Sequence, residues 1–81
     1  MNLSQLPRRT SAEVEAVDDL RAHDPIARRL RELGFVPGEP VEIVAAAPFG
    51  GDPLLVQVGF TRFALRRSEA ERVRLREPAG A

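Results

Sequence analysis

The sequence contains no cysteine, lysine, tryptophan or tyrosine, and its only histidine is His23. The lack of cysteine excludes disulfides, thiolate metal sites and thiol catalysis. No apolar run approaches the ~20 residues that a membrane-spanning helix needs, and the first residues lack the basic start and apolar run of a secretion signal. We therefore expect a cytoplasmic protein that does not insert into a membrane.

The size and composition of the chain indicate one small globular domain. Hydrophobic residues make up 43% of the 81 residues and charged residues 30%, which is ordinary for a soluble domain. A domain of this size buries roughly 60% of its unfolded surface, so it has room for a single core. We expect one domain over residues 1–77 and a flexible tail over residues 78–81.

The segment 24–38 predicts a short helix that ends at a glycine and leads through a tight turn into a strand. Asp24 suits the N-cap and Pro25 the first helical position, while Gly34 stands where a left-handed residue ends a helix. A helix over about residues 25–33 is too short to be stable alone in water. Its apolar stripe must therefore pack on the rest of the chain. The stripe consists of Ile26, Leu30 and Leu33.

The remaining chain is rich in segments whose apolar residues alternate with polar ones, the pattern of half-buried strands. Strands are predicted over 12–17, 41–47, 54–58, 62–66 and 72–76, with a helical turn near 68–71 capped by Ser68 and Glu71. In the first strand we expect Ala12, Val14 and Ala16 on one face. In the last we expect Val73 and Leu75 inward and Arg72, Arg74 and Arg76 outward.

These elements predict a mostly β fold. A sheet of about five short strands must curl to cover its own apolar face, because open edges invite aggregation. The fold class is therefore a small, partly open antiparallel barrel, with one end covered by the amphipathic helix.

Positive charge concentrates between residues 62 and 76, where six arginines accompany two glutamates. Such a face suits a nucleic-acid backbone or another anionic partner. Binders of single strands also need exposed aromatic rings on which bases stack. Phe35 and Phe63 are predicted to point inward, and an inward position is one possibility for Phe60 as well. Since only Phe49 is then left at a loop tip, we expect a solvated arginine rim and no nucleic-acid partner.

No catalytic constellation is evident in the sequence. Triads need a nucleophile beside a base, and one histidine is available. Outward carboxylates such as Glu13 and Glu15 are typical of a solubilising strand face. Asp18, Asp19, His23 and Asp24 are near one another in sequence and could form a weak oxygen-rich metal site, or a solvated turn in which Asp24 caps the helix. We predict no catalytic residue, no cofactor and no dedicated metal site.

A binding role leaves a small set of candidate residues. The candidate protein-binding residues are Phe49, Arg28, Arg29, Arg31, Arg62 and Arg66. Phe49 either folds back over the barrel mouth or stands out as an apolar anchor for a protein partner. The helix arginines are either solvated or part of the same docking surface.

Several segments together resemble one known family, in order and in spacing, from about Leu3 to Leu75. They are the Leu-Ser-Gln-Leu stretch at 3–6, the helix and turn at 26–38, the Ala-Pro-Phe-Gly-Gly-Asp-Pro loop at 47–53, and Ala64-Leu65-Arg66 followed by Glu69-Ala70. The sequence resembles the FeoA family, the small cytosolic accessory proteins of bacterial ferrous iron uptake. One departure is near Arg9, where the family often has a glycine in the first turn.

The resemblance implies an SH3-like antiparallel barrel and a non-catalytic role beside FeoB, the GTP-dependent membrane transporter for ferrous iron. The implied partner is the cytosolic part of that transporter, and exposed barrel edges leave a homo-oligomer open. Family descriptions sometimes add transition-metal binding. The same domain resembles the C-terminal part of metal-dependent repressors of the diphtheria-toxin-repressor type. A nucleic-acid-binding or metal-sensing regulatory domain is therefore the alternative.

Overall fold

The computed structural model describes residues 1–48 and 50–76. Its elements in chain order are a 3₁₀ turn (Leu3–Gln5), β1 (Ser11–Val17), α1 (Pro25–Leu33), β2 (Pro40–Ala46), β3 (Leu54–Val58), β4 (Thr61–Leu65), α2 (Arg67–Ala70) and β5 (Val73–Leu75). The predicted five strands and the helix over 25–33 are confirmed. Phe49 and the expected tail lie outside the described residues.

The five strands form one antiparallel sheet with the order β4-β3-β2-β1-β5. The register shifts between Val14 and Ala16 in β1, and between Ile43 and Ala45 in β2. Such bulges bend a strand and increase its twist, which suits a sheet that curls around its core. Within the described chain β4 and β5 do not pair with each other, so the barrel is open at that seam.

The bulge in β1 changes which residues of the strand are buried. Val14 and Val17 are buried, whereas Ala12 and Ala16 are half-buried. The prediction that Ala12, Val14 and Ala16 share the inward face is therefore correct only up to the bulge. A bulge places two residues opposite one, so the alternation changes phase and Val17 takes the inward position.

The core lies between the inner face of the sheet and helix α1. In β3 the predicted alternation is confirmed, since Leu54, Val56 and Val58 are buried. Phe35 is also buried, and the centroid of its ring lies 6.4 Å from the ring centroid of the half-buried Phe63. A pair at this separation adds attraction beyond the buried area.

Helix α1 begins and ends as its sequence predicts. The Asp24 carboxylate accepts hydrogen bonds from the backbone N–H groups of Ile26 and Ala27. Gly34 ends the helix with a φ of 115°, in the left-handed region that glycine tolerates best. On the inward face Leu30 and Ala27 are buried, and the flanking Ile26 and Leu33 are half-buried.

The turn before β5 forms where it was expected, but with a different cap. The predicted pair Ser68 and Glu71 does not begin this turn. Instead the Glu69 carboxylate accepts a hydrogen bond of 2.8 Å from the backbone N–H of Arg66. Because β4 ends at Leu65, Arg66 is the first residue whose N–H needs a new acceptor, and Glu69 lies three residues later. None of the helices described is long and apolar enough to cross a membrane.

Candidate functional site

A buried ion pair joins the start of α1 to the segment before β5. The Nε of Arg72 donates to the Asp24 carboxylate at 2.7 Å, and the Asp24 side chain is fully buried. A second guanidinium nitrogen of Arg72 donates to the Ser68 carbonyl at 2.6 Å. The prediction that Arg72 points outward is wrong. Its guanidinium turns inward because Asp24 and the Ser68 carbonyl supply the acceptors that a buried arginine needs.

Both oxygens of the Asp24 carboxylate are engaged in structural hydrogen bonds. It also accepts the backbone N–H groups of Leu20, Ile26 and Ala27, at 3.0, 3.1 and 3.4 Å. The hydrogen bond from Arg72 holds the pKa of this carboxyl well below its ordinary value, and the three backbone donors reinforce that effect, although burial alone would raise it. Asp24 is therefore a permanently charged structural anchor at neutral pH.

The other two aspartates of the possible oxygen-rich metal site also pair with arginines. Asp18 pairs with Arg74 at 3.2 Å, and Asp19 pairs with Arg31 at 3.0 Å. His23 is exposed. Over residues 1–48 and 50–76, no three histidine, aspartate or glutamate side chains lie close enough together to hold a metal ion. The three aspartates thus pair with arginines, and the structure does not gather them with His23 around a common centre.

The candidate arginines on α1 differ in what they contact. Arg31 donates to the Val17 carbonyl at 2.7 Å and to Asp19, so it ties the helix to the end of β1. Arg28 pairs with Glu32 on the exposed surface at 3.3 Å. Arg29 is exposed and makes no ion pair within the described part of the chain. Arg28 and Arg29 are therefore the helix arginines most accessible to a partner.

The remaining candidates, Arg62 and Arg66, lie on β4 and directly after it. Both are exposed. The Nε of Arg62 donates to the Gln57 side-chain oxygen at 3.0 Å. Neither arginine pairs with a carboxylate among the residues that the structure describes. Strand β4 and the residue after it therefore carry positive charge that no described carboxylate neutralises.

Phe60 is a functional candidate that the sequence analysis missed. It follows Gly59 in the two-residue turn between β3 and β4, and its side chain is fully exposed. Gly59 has a φ of 58°, which fits the first central position of a tight hairpin turn. A glycine between two alternating runs is a sequence signal for such a turn, and the residue after it must then lie at the tip.

Arg67 contacts the end of the loop that follows Phe49. The backbone N–H of Arg67 donates to the Asp52 carboxylate at 3.1 Å, and the Arg67 guanidinium donates to the Ser4 carbonyl at 3.2 Å. The same guanidinium lies directly over Gly51. Phe49 itself is outside the described residues, so its role in binding stays a prediction.

Comparison with known proteins identifies similar chains. The family model described as the FeoA domain matches residues 1–77. No curated protein sequence matched. Among solved structures, the crystal structure of Stenotrophomonas maltophilia FeoA complexed with zinc is 70% identical, with a TM-score of 0.88 over 94% of this chain and 89% of that one. That relative is described as an SH3-domain protein, which confirms the predicted SH3-like fold.

Two solution structures show the same fold at lower identity. FeoA from Chlorobium tepidum is 36% identical, with a TM-score of 0.79 over all of this chain and 73% of that one. Iron(II) transport protein A from Clostridium thermocellum is 33% identical, with a TM-score of 0.79 over 93% of this chain and 44% of that one.

Proposed function

Since this chain belongs to the FeoA family, which is associated with ferrous iron transport, we propose that it is a non-catalytic accessory protein. It would dock on the cytosolic part of the GTP-dependent transporter FeoB and modulate that protein. The observation on which this rests is the match to the family over residues 1–77. The 70% identical relative from Stenotrophomonas maltophilia is itself proposed as a bacterial ferrous iron transport activating factor.

The chemistry of the described residues supports binding over catalysis. The Asp24 carboxyl, whose pKa is displaced, is fixed by an arginine and three backbone donors. Catalytic acids and bases usually occur as groups with displaced pKa values in a cleft. Asp24 instead holds an N-cap and a buried arginine, which is a structural task.

We assign docking to the exposed positive side chains and the aromatic loop residues. Arg28 and Arg29 on α1, and Arg62 and Arg66 at β4, are the accessible cations. Phe49 remains a candidate at its loop. Arg31 is a weaker candidate, because its guanidinium already binds Val17 and Asp19. A partner with an acidic surface would complement these residues.

The zinc in the Stenotrophomonas maltophilia relative raises the question of metal binding here. A tight zinc site in one molecule needs three or four nitrogen, sulfur or carboxylate ligands. Residues 1–48 and 50–76 hold no group of three such side chains, so the residues described do not fit such a site. The proposed function therefore includes no step that depends on a bound metal.

Co-purification with the transporter tests the proposal. The cytosolic GTP-binding domain of FeoB from the same organism would be immobilised and loaded with GDP or with a non-hydrolysable GTP analogue. We expect this chain to be retained in at least one nucleotide state and to change the GTPase rate. Absence of retention in both states, together with an unchanged GTPase rate, would reject the proposal.

A further inference from the structure

The sheet has two edges, and they differ in how they are covered. Along β5, the backbone N–H of Leu75 donates to the Met1 carbonyl at 2.9 Å, and Asn2 bridges to Arg74. The N-terminal residues therefore cover that edge. Strand β4 ends the sheet on the other side, and no strand of the described chain lies along its outer edge. An open edge strand is a template for pairing with another chain.

The register shows which backbone groups of β4 face outward. Gly59 and Phe60 form a two-residue turn between Val58 and Thr61, which oppose each other. Such a turn closes with a hydrogen-bonded pair, and the pairs then alternate along the hairpin. The N–H and C=O groups of Arg62 and Ala64 therefore point away from β3, and both residues are exposed.

The side chains around this edge are basic and apolar. Arg62 and Arg66 provide positive charge that no carboxylate of the described chain compensates. Phe60 lies at one end of β4. At the other end, a shallow apolar recess lies beside Ala64. It is lined mainly by Ala45, Ala46, Ala47, Pro53, Leu55 and Ala64.

We propose that the outer edge of β4 is a strand-addition site for an extended acidic segment of a partner protein. The backbone groups of Arg62 and Ala64 would pair with the segment, as in other cases of strand addition. The carboxylates of the segment would face Arg62 and Arg66, and its apolar residues would contact Phe60 and the recess. This inference rests on the proposed function, because the cytosolic part of the transporter is where we place the segment.

The charge of the edge argues against a second copy of this chain as the occupant. An antiparallel pairing of two β4 strands centred on Phe63 sets Arg62 opposite Ala64 of the other copy. The two Arg62 side chains would then be diagonal neighbours on one face. Like charges at such short range are destabilising, whereas an acidic segment gains attraction at the same positions.

A synthetic peptide tests the edge directly. The probe spans the five residues of β4. On the face that meets Arg62, Ala64 and Arg66 it carries glutamate and valine in turn, and threonine occupies the positions of the other face. The matched peptide has lysine in place of glutamate. We expect the glutamate peptide to shift the NMR signals of the Thr61–Leu65 amides and to slow their hydrogen exchange. Binding should weaken with salt, since the attraction is between exposed charges. The lysine peptide should not bind.

Variants separate the backbone and charge contributions. Ala64→Pro removes an outward N–H without removing a hydrogen bond to β3, so affinity should fall by about tenfold. Ala64→Thr keeps that N–H and is the matched control, and it should lose much less affinity than Ala64→Pro. The double variant Arg62→Glu with Arg66→Glu should reverse the preference towards the lysine peptide.

Three results would overturn the proposal: shifts confined to other elements, unchanged affinity in both Ala64→Pro and the double variant, or self-association of the free chain through β4. Retention on the immobilised transporter domain distinguishes failure of the edge proposal from failure of the docking function. If Ala64→Pro and the double variant are retained like the wild type, the edge proposal fails and the docking function stands. If the wild type is retained in neither nucleotide state and leaves the GTPase rate unchanged, the docking function fails, and the peptide alone decides the edge proposal.

Discussion

The Asp24 carboxylate accepts a hydrogen bond from Arg72 at 2.7 Å, although 48 residues separate the two in sequence. The pair connects the N-cap of α1 to the segment that leads into β5. It also links α1 to the strand that pairs with β1. The position of α1 on the sheet therefore depends on one buried charge interaction as well as on its apolar face.

We expect stability to depend on this pair at acid pH. The folded pKa of Asp24 is depressed below its ordinary value of 3.8, so the unfolded chain binds the proton more readily. The contribution of the ionised Asp24 to the free energy of unfolding is therefore fully present above the unfolded pKa, and it is lost as the pH falls through the folded pKa. Thermal melts of the wild type and Asp24→Asn over a pH series should show a large difference at pH 7 that shrinks below about pH 4.

The control for this prediction is Asp19→Asn, which removes an exposed carboxylate paired with Arg31. Exposed pairs contribute about 0–1 kcal/mol, so this variant should melt close to the wild type at every pH. A constant difference between the wild type and Asp24→Asn from neutral to strongly acid pH would contradict the linkage.

The inward face of α1 should be far more sensitive to substitution than its outer face. Leu30 is buried in the core, and truncation of such a leucine to alanine costs about 2–5 kcal/mol. Arg29 on the outer face is exposed, and Arg29→Ala should change stability by less than about 0.5 kcal/mol. Urea denaturation of both variants measures the contrast, and equal midpoints would show that α1 does not close the core.

Replacement of Arg9 by glycine should stabilise the protein. Arg9 has a φ of 66°, and its N–H donates to the Ile43 carbonyl at 3.0 Å. A side chain in this left-handed region costs about 1–2 kcal/mol, of which the greater freedom of glycine in the unfolded chain offsets about half. Arg9→Gly should therefore gain up to about 1 kcal/mol. Arg8→Gly is the matched control and should gain nothing.

The sequence pattern predicted the strands well wherever the ladder is regular. Strand β3 has no bulge, so its alternation gives the buried residues correctly. In β1 the bulge changes the phase between Val14 and Val17, and nothing local in the composition marks the extra residue. Periodicity describes an ideal strand and does not contain the register of its neighbour.

The buried arginine could not be predicted from its own surroundings. Arg72 precedes a run that alternates with arginine, and a strand pattern places it outward. Its burial depends on an acceptor 48 residues away, which only the fold brings near. By contrast, the resemblance implied a glycine near Arg9, and Arg9 has the left-handed conformation that glycine adopts most easily. The exposure of Phe60 follows from the two-residue turn once Gly59 is assigned to it.

An exposed Phe60 near Arg62 also reopens the nucleic-acid alternative, which a direct experiment can decide. Stacking needs a series of aromatic rings along a groove, and within the described chain Phe60 is the one fully exposed ring. We therefore expect no retention of single-stranded oligonucleotides by this chain, even at low salt. Tight binding that weakens steeply with salt would instead support a nucleic-acid function.

The most direct test of the central claim is a titration of this chain into the FeoB cytosolic domain, followed by calorimetry and by the GTPase rate in the same samples. We expect saturable binding in at least one nucleotide state, a changed GTPase rate at saturation, and weaker binding by the Arg62→Glu, Arg66→Glu variant. No heat of binding and no change in rate, with a folded chain and an active GTPase, would contradict the claim that this protein is an accessory subunit of the transporter.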